Sequence, residues 1–405
     1  MSAGAVAADA AASFDAMWSA LEQVGRHPGT GGYRRYAWTR EDAQLRDWFA
    51  GEAAARGMTL THDRAGNQWA WRGDPDSDGA GLVLGSHLDS VPDGGAFDGP
   101  LGVVSAFAAL DELTSRDAAT RRPVAVANFG DEEGARFGVA CAGSRLLTGA
   151  LDPDRARALS DTDGTSLADA LTAAGGDVRA LGHDDETVRR IGVFVELHVE
   201  QGRGLAGTRH AVAVGSAIRP HGRWRIELPG AANHAGTTRM DDREDALVAA
   251  AEVVLAAREA AERHGGVATV GRLQVEPNGV NAVPAHVTAW LDARHRDEAA
   301  ARAIAADVDR IVRRLGGSLR EQSWTGATQF DPELSGEIAA WLDAPVLDTG
   351  AGHDAGVLAA AGVPTAMLFV RNPTGVSHSP AEFAERDDCL AGVAALAAVI
   401  HRLAG

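Results

Sequence analysis

Cysteine is scarce in this chain, which has only Cys141 and Cys389 among its 405 residues. Two cysteines can support neither a disulfide framework nor a zinc site built from thiolates. Positive charge is also in deficit, because the formal net charge is −18 at pH 7. Proteins that bind nucleic acid through its phosphates need a basic surface, so we expect no nucleic-acid partner.

Long apolar runs are missing as well. No segment approaches the roughly 20 apolar residues that a membrane-spanning helix needs. The first residues, MSAGAVAADAAASFDAMW, contain two aspartates and no basic residue, unlike a secretory signal peptide. We therefore expect a cytoplasmic protein with no membrane partner, and the length predicts one large and one smaller domain.

What the chain does have, in its first half, is an alternation of short apolar strands with longer helical patterns. Strands are predicted at 81–86, 123–130 and 191–199. Helical patterns follow the first two, in LGVVSAFAALDEL and in FGVACAGSRLLTG. This order predicts an α/β domain with a mostly parallel sheet, in which ligands bind beyond the carboxyl ends of the strands.

The rhythm changes between residues 216 and 328. There the order of predicted elements is strand, helix, two strands, helix and strand, which is the ferredoxin-like α+β plan. A buried strand in VPTAMLFVRN (363–372) then resumes the first pattern. We predict a catalytic domain of residues 1–215 plus 329–405, with the domain 216–328 inserted into it.

Each predicted strand of the larger domain is followed by metal-ligand chemistry. The residues concerned are His87 and Asp89, then Asp131, Glu132 and Glu133, then His198, and near the C-terminus His378. A single strand-end histidine is usually structural, but carboxylates clustered on one rim repel each other unless cations neutralise them. Imidazole and carboxylate ligands without thiolates suit zinc, or else manganese, cobalt or nickel. The ligands suffice for two ions, which would activate a water while a spare carboxylate takes its proton.

Eight motifs occur in an order that resembles a known family. They are GSHLDS, FDG (97–99), DEEGARF, ELHVEQG, NHAGTT, Asn-x-x-Asn-x-x-Pro (278–284), GAGHDA and GVSHSP. From about residue 15 to the C-terminus, the chain is similar to the hydantoinase/carbamoylase branch of the M20-type metallohydrolases. That branch includes N-carbamoyl-L-amino acid amidohydrolases and allantoate amidohydrolases. The resemblance implies two divalent metal ions per subunit, with zinc favoured, and a homodimer in which the inserted domain serves as lid and dimerisation domain.

The resemblance also implies a role for each metal ligand. His87, Asp98 and His198 would hold one ion, while Asp98, Glu133 and His378 would hold the other, with Asp98 bridging the two.

Three further residues of the larger domain receive roles from the resemblance. Glu132 would be the general base and then the acid that protonates the leaving nitrogen. Asp89 would support catalysis by orienting His87, as metal-bound histidines generally require. Gln201 would contact the substrate.

The remaining substrate contacts are expected from three residues of the inserted domain and one late loop. His234 would stabilise the oxyanion, reaching into the site of the other subunit. Asn281 and Arg294 would bind a substrate carboxylate, for which a planar guanidinium is suited. Nothing near Arg294 in sequence obviously neutralises it. Arg371 is considered as a reader of the substrate side chain, against the alternative of a solvated loop charge.

Several activities remain open at this point. The leading interpretation is hydrolysis of the carbamoyl or ureido C–N bond of an N-carbamoyl-L-amino acid by metal-activated water. Alternatives are an allantoate amidohydrolase, a formimino-amino acid hydrolase, an M20-type N-acyl deacylase or peptidase, and an inactive binding relative. Peptidase relatives tend to carry an acid where this chain has His198, and inactive relatives usually lose a ligand or the base.

Overall fold

The computed structural model of the protein describes residues 6–76 and 80–405. Residues 1–5 of the predicted catalytic domain lie outside the described residues. The helices are α1 (Ala8–Leu21), α2 (Arg40–Ala55), α3 (Pro100–Ser115), α4 (Ala142–Leu147), α5 (Pro153–Ala158), α6 (Leu167–Ala173), α7 (Asp185–Arg190), α8 (Ala246–His264), α9 (Glu298–Arg314), α10 (Pro332–Leu342), α11 (Asp354–Ala360) and α12 (Arg386–Ala404).

The strands fall into three sheets. They are β1 (Thr59–His62), β2 (Gln68–Arg72), β3 (Gly81–His87), β4 (Val124–Phe129), β5 (Ile191–Val199), β6 (Val212–Ile218), β7 (His221–Pro229), β8 (Asn233–His234), β9 (Val267–Glu276), β10 (Ala282–Val283), β11 (His286–Arg294), β12 (Ser318–Thr325), β13 (Thr328–Gln329), β14 (Val346–Thr349) and β15 (Thr365–Val370).

The chain divides into two compact units. One consists of the residues up to Ser216 together with Gln329–Gly405, and the other is Ala217–Thr328. The second unit therefore begins one residue after the predicted boundary at 216. Its role as a lid or dimerisation domain stays a prediction.

The sheet of the first unit is parallel in its centre and antiparallel at its edges. Its strand order is β1-β2-β4-β3-β5-β15-β6-β13, with β14 beside β6. The four central strands, β4, β3, β5 and β15, run parallel to one another. On either side, β2 pairs antiparallel with β4 and β6 pairs antiparallel with β15. The predicted mostly parallel sheet is thus confirmed for its centre, and its outer strands were not foreseen.

Strand register brings the carboxyl ends of the central strands to one edge of the sheet. His87, the last residue of β3, pairs with Phe129, the last residue of β4. On the other side, His198 of β5 pairs with Phe369 of β15. Every residue of β3 and β4 is buried, as expected for strands covered on both faces. Loops that leave these four strands therefore start side by side.

The second unit has the predicted ferredoxin-like order. Its four-stranded antiparallel sheet runs β12-β7-β11-β9, and α8 and α9 cover one face. Alternate residues of β7, namely Trp224, Ile226 and Leu228, are buried in this small core. A two-stranded sheet of β8 and β10 completes the unit.

One predicted helix is much shorter than expected. FGVACAGSRLLTG is helical only over α4, because Gly138 and Cys141 have positive φ angles of 79° and 54°. A right-handed helix requires φ near −60°, so these residues form a turn that precedes the helix. Among residues 6–76 and 80–405, no helix combines the length and apolar composition needed to cross a bilayer.

Candidate metal centre

Two buried histidines, His87 and His198, both direct their Nε2 atom toward the carboxylate of Asp98. His87 ends β3 and His198 lies near the end of β5, and each is only 1% exposed. The Nδ1 atom of His87 lies 3.2 Å from the Asp89 carbonyl oxygen, and Nδ1 of His198 lies 2.8 Å from that of Val199. With Nδ1–H donated to a carbonyl, Nε2 carries the lone pair, which is the arrangement of metal-binding histidines. Both Nε2 atoms are buried without a hydrogen-bond partner.

Asp98 lies between these histidines and a third. Its Oδ1 atom is 3.5 Å from Nε2 of His87 and 3.1 Å from Nε2 of His198. Its other oxygen, Oδ2, is 3.5 Å from Nε2 of His378, which also lies 3.6 Å from Oε2 of Glu133. One carboxylate thus offers a separate oxygen to each of two ligand groups.

The two groups fit divalent cations. One consists of His87, Asp98 and His198, the other of Asp98, Glu133 and His378, and the ligand atoms within each group lie within 4.8 Å of one another. Ligand atoms around a tetrahedral zinc ion are about 3.4 Å apart, given bonds of roughly 2.0–2.1 Å. Three protein ligands per ion leave coordination positions open, as in catalytic rather than structural sites. These are the same groups that the family resemblance implies.

The charge distribution also favours cations. Burial raises the pKa of Glu133 to about 8, with the neighbouring Asp98 charge acting in the same direction. For Asp98 burial alone would raise the pKa, yet His198 and His87 beside it hold it well below its usual range. Buried carboxylates at this density are costly unless positive charge is supplied.

Glu132 lies beside the first ligand group without belonging to either. Its Oε2 atom is 3.8 Å from Nε2 of His87, and its Oε1 atom accepts a hydrogen bond of 3.2 Å from the Cys141 thiol. Burial raises the pKa of Glu132 well above its usual range. A carboxylate whose proton affinity is raised in this way is suited to general base chemistry.

Asp89 has a wider role than the expected support of His87. Its side-chain oxygen is 3.4 Å from Nδ1 of that histidine, farther than its own main-chain carbonyl. The two carboxylate oxygens instead accept the backbone N–H groups of Glu132 and Glu133, at 3.1 and 3.0 Å. Asp89 therefore fixes the backbone that carries the expected base Glu132 and the candidate ligand Glu133.

Sequence reasoning missed one acidic residue at the centre. Glu382 is 5% exposed, and its Oε1 atom accepts the backbone N–H groups of Phe97 and Asp98, both at 2.9 Å. Its position four residues after His378, on the same loop, is a signal that could have found it. Gln201, expected to contact substrate, donates from Nε2 to Oδ2 of Asp98 at 2.9 Å, so it adjoins the second ligand group.

The second unit brings two of its predicted residues together. His234 of β8 is exposed and pairs with Ala282 of β10, next to Asn281. The Asn281 carbonyl oxygen accepts the N–H of Ala235 at 2.9 Å. His234 and Asn281 are therefore neighbours on one small sheet.

Arg294 lies elsewhere in the second unit, at the end of β11, and has a partner that the sequence reading overlooked. Asp292, two residues earlier on the same strand face, accepts from Nε at 2.7 Å and from Nη2 at 3.0 Å. Burial alone would raise the pKa of Asp292, but hydrogen bonds and charge from Arg294 and Arg223 bring it below its usual value. The expectation that nothing nearby neutralises Arg294 is wrong, because residues two apart on a strand share a face.

Arg371 is also engaged within the fold. Its Nε and Nη2 atoms donate to the two oxygens of Asp388, at 2.8 and 2.6 Å, and Nη1 donates to the Thr208 carbonyl at 3.0 Å. Asp388 takes the Nε–Nη2 edge of this guanidinium and the Thr208 carbonyl takes Nη1, so both edges that could hold a substrate carboxylate are engaged. These contacts favour a structural role for Arg371 over contact with the substrate.

Comparison with known proteins finds one family model that matches most of the chain and relatives that align with nearly all of it. Residues 83–402 match the model of peptidase family M20/M25/M40. An N-carbamoyl-L-amino acid amidohydrolase of Geobacillus stearothermophilus is 36% identical over 396 residues, which cover 95% of this chain and 96% of the relative. An allantoate amidohydrolase of Escherichia coli K12 is 33% identical over 398 residues, covering 95% and 96% respectively.

Solved structures agree with these sequence matches. A crystal structure of an amidase of the hydantoinase/carbamoylase family from Burkholderia vietnamiensis has a TM-score of 0.87 and 31% identity, and the match covers 99% of this chain and 98% of that one. These matches confirm the resemblance drawn from the motifs.

Proposed function

Since the chain belongs to peptidase family M20/M25/M40, we propose that it hydrolyses the carbamoyl C–N bond of an N-carbamoyl-L-amino acid. The prediction of a hydrolase acting on C–N bonds is confirmed by its amidohydrolase relatives. The choice of substrate rests on the N-carbamoyl-L-amino acid amidohydrolase that shares 36% of its residues with this chain.

The observation that carries the proposal is the pair of ligand groups joined by Asp98, with Glu132 beside them. Two divalent cations bound there would polarise the ureido carbonyl and make water a stronger nucleophile near neutral pH. Zinc suits the imidazole and carboxylate donors, and manganese, cobalt or nickel would accept the same set.

Glu132 then transfers the proton that the reaction moves from water to the leaving nitrogen. Glu132 accepts a proton from the water that attacks the ureido carbon and passes it to the amino-acid nitrogen as the bond between that nitrogen and the carbon breaks. The products are the free amino acid and carbamate, which decomposes to ammonia and carbon dioxide. Asp89 keeps the Glu132 and Glu133 backbone in place throughout.

We assign recognition of the substrate carboxylate and carbonyl to the second unit. His234 would stabilise the oxyanion, and Asn281 and Arg294 would bind the carboxylate, as the family resemblance implies. Asp292 takes the Nε–Nη2 edge of Arg294 through two hydrogen bonds, so a substrate carboxylate would meet this guanidinium at its opposite edge. A preorganised guanidinium loses less entropy when it binds.

Allantoate is the second candidate substrate. It is also a ureido compound with a carboxylate, and the Escherichia coli allantoate amidohydrolase is 33% identical to this chain. Both substrates release ammonia, so one assay compares them.

The test is a substrate panel. Purified protein loaded with zinc or with manganese is assayed for ammonia release from N-carbamoyl-L-amino acids, their D-enantiomers, allantoate and N-formimino-amino acids, and for release of the free amino acid from N-acyl-amino acids. The proposal expects N-carbamoyl-L-amino acids to have the largest kcat/KM. A larger kcat/KM for allantoate would transfer the assignment to the second candidate, and hydrolysis of N-acyl-amino acids alone would refute both.

We also propose that the protein forms a homodimer through the second unit. One side of α8 exposes apolar residues at helical spacing, namely Leu247, Val248, Val254 and Leu255. Strand β9 lies beside this helix at the end of its sheet and exposes Val267 and Leu273. A long edge strand next to an apolar helix face suits pairing with a second copy of the same chain.

A further inference from the structure

Glu382 connects two loops that carry metal ligands. Its Oε1 atom accepts the backbone N–H groups of Phe97 and Asp98, on the loop that follows β3. Its Oε2 atom lies 3.1 Å from the hydroxyl oxygen of Ser377, the residue before His378. One side chain therefore joins the shared ligand Asp98 to the loop of His378.

Ser377 extends this connection to the carboxylate of Asp98. Its hydroxyl lies 3.2 Å from Oδ2 of Asp98, the same oxygen that faces His378. Nε2 of Gln201 donates to this oxygen at 2.9 Å and to the Ser377 hydroxyl at 3.2 Å. The contacts that begin at Glu382 thus reach the oxygen that belongs to the second ligand group.

The two ligand groups depend on this connection to different degrees. His87 and His198 lie on central strands, whose backbones are fixed by neighbours on both sides. His378 lies on a loop with a φ of 54°, and its side chain is 50% exposed. Sheet hydrogen bonds therefore hold two of the three ligands of the first group, whereas all three ligands of the second lie outside the strands and rely on loop and side-chain contacts.

Gly95 packs directly against the Glu382 side chain. A Cβ atom on Gly95 would lie 2.4 Å from both Cβ and Oε1 of Glu382. The loop before Asp98 thus approaches the glutamate so closely that only glycine fits there. A carboxylate held this tightly transmits the position of one loop to the other.

From these contacts we propose that Glu382 is a positioning residue for the second cation position, the one formed by Asp98, Glu133 and His378. This inference rests on the proposed metal centre. It assigns Glu382 no contact with substrate, and it predicts that loss of the side chain weakens one cation position more than the other.

The experiment measures Zn²⁺ binding rather than activity. Metal-free wild-type protein and Glu382→Ala are titrated with Zn²⁺ against a competing chelator, and bound zinc is counted by elemental analysis. We expect the tighter step to stay within a few-fold of wild type and the weaker step to lose roughly 10–100-fold in affinity, as removal of an outer ligand partner typically causes. Unchanged affinity for both steps, or equal losses in both, would overturn the inference.

Glu382→Gln separates position from charge. Glutamine keeps an oxygen for the two backbone N–H groups and an amide for the Ser377 hydroxyl, so we expect zinc binding within a few-fold of wild type. If Gln is as damaging as Ala, Glu382 acts through its negative charge and the inference is wrong. The matched control is Glu112→Ala. Glu112 is another buried glutamate, on α3, and its carboxylate accepts the backbone N–H of Ala7 at 2.7 Å. It should leave both zinc affinities unchanged.

Two outcomes must be kept apart. If Glu382→Ala does not fold, as judged by circular dichroism, Ser377→Ala takes its place and should weaken the same step selectively. No selective loss in that variant would overturn the inference. If wild-type protein binds no zinc, manganese or cobalt, then the proposed metal centre itself fails. If wild-type protein binds zinc in two steps and the variants bind it with the same affinities, only the role of Glu382 is rejected.

Discussion

At the scale of single residues, a substitution of Glu132 tests proton transfer independently of cation binding. Glu132→Gln keeps the size of the side chain and removes its basicity, so we expect unchanged metal content and a rate of ammonia release lower by roughly 10²–10⁴-fold. Elemental analysis beside the kinetic assay measures both quantities. Glu112→Gln, in the core of the same unit, is the control and should stay active. Loss of bound metal, or retention of a tenth of the activity or more, would contradict the assignment.

Arg294 gives a second prediction at this scale. Lysine cannot reproduce a planar, two-pronged contact, so Arg294→Lys should raise KM and reduce kcat/KM. The reduction should correspond to a loss of about 2–5 kcal/mol in the binding free energy of the transition state. Amidating the substrate carboxylate should reduce wild-type kcat/KM similarly and leave the variant almost unaffected by the same change. Should Arg294→Lys alter only the thermal midpoint, the guanidinium serves Asp292 alone.

Residue chemistry was predictable from sequence where it depends on strand ends. Most candidate ligands follow apolar strands, and parallel strands bring their carboxyl ends together, so their meeting at one edge could be anticipated, whereas their division into two groups came from the family resemblance. Glu382 was harder to anticipate, because its position four residues after His378 is the one signal and an acid within AEFAE otherwise looks like a solvated charge until the fold buries it. The Asp292–Arg294 pair was within reach of sequence reasoning, since both lie on one predicted strand with period two.

At the scale of elements, the connection from β3 to α3 is sensitive to the size of one residue. Gly99 precedes α3 with a φ of 84°, and a Cβ atom there would lie 2.5 Å from Cε1 of His87. Gly99→Ala should therefore lower the thermal midpoint and weaken zinc binding, because an L-residue in this sparsely populated backbone conformation costs on the order of 1–3 kcal/mol. Calorimetry and zinc titration test this.

A control for that substitution exists within α10. Gly336 has open space around the position of a Cβ atom, so Gly336→Ala should be neutral or slightly stabilising. Equal behaviour of the two alanine variants would mean that contact with His87 does not constrain position 99.

Elements with strong periodicity were predicted closely, and short irregular ones were not. The predicted strand 191–199 coincides with β5. The helix expected in FGVACAGSRLLTG is limited to α4 by left-handed residues, which no apolar pattern reveals. The antiparallel edge formed by β1 and β2 was also missed, because four- and five-residue strands carry little periodic signal.

At the scale of the whole molecule, bound cations should contribute to stability. Removing them leaves buried carboxylates facing one another, and a ligand at 100 times its Kd stabilises a protein by about 2.7 kcal/mol. We expect a chelator to lower the thermal midpoint and added Zn²⁺ to restore it. Asp98→Asn, which weakens both ligand groups, should show a much smaller response. An identical response in that variant would place the stabilising cation elsewhere.

Assembly gives the last prediction. Val248→Glu places a charge on the exposed apolar side of α8, where the wild-type side chain is 58% exposed, and should convert a dimer into a monomer in light-scattering measurements. Val346→Glu is the control, because that residue is 51% exposed but belongs to the first unit. A monomeric wild type, or a dimer that survives Val248→Glu, would reject this interface.

The position of β15 has a consequence for biosynthesis. This strand lies between β5 and β6 in the middle of the sheet, yet it is the last strand to be translated. His378 follows His198 by 180 positions, which a ribosome needs roughly 10–40 s to synthesise at about 5–20 residues per second. During that interval the nascent chain carries His87, Asp98 and His198 beside an unpaired edge of β5. Until β15 emerges, this edge of β5 is open to pairing with another chain.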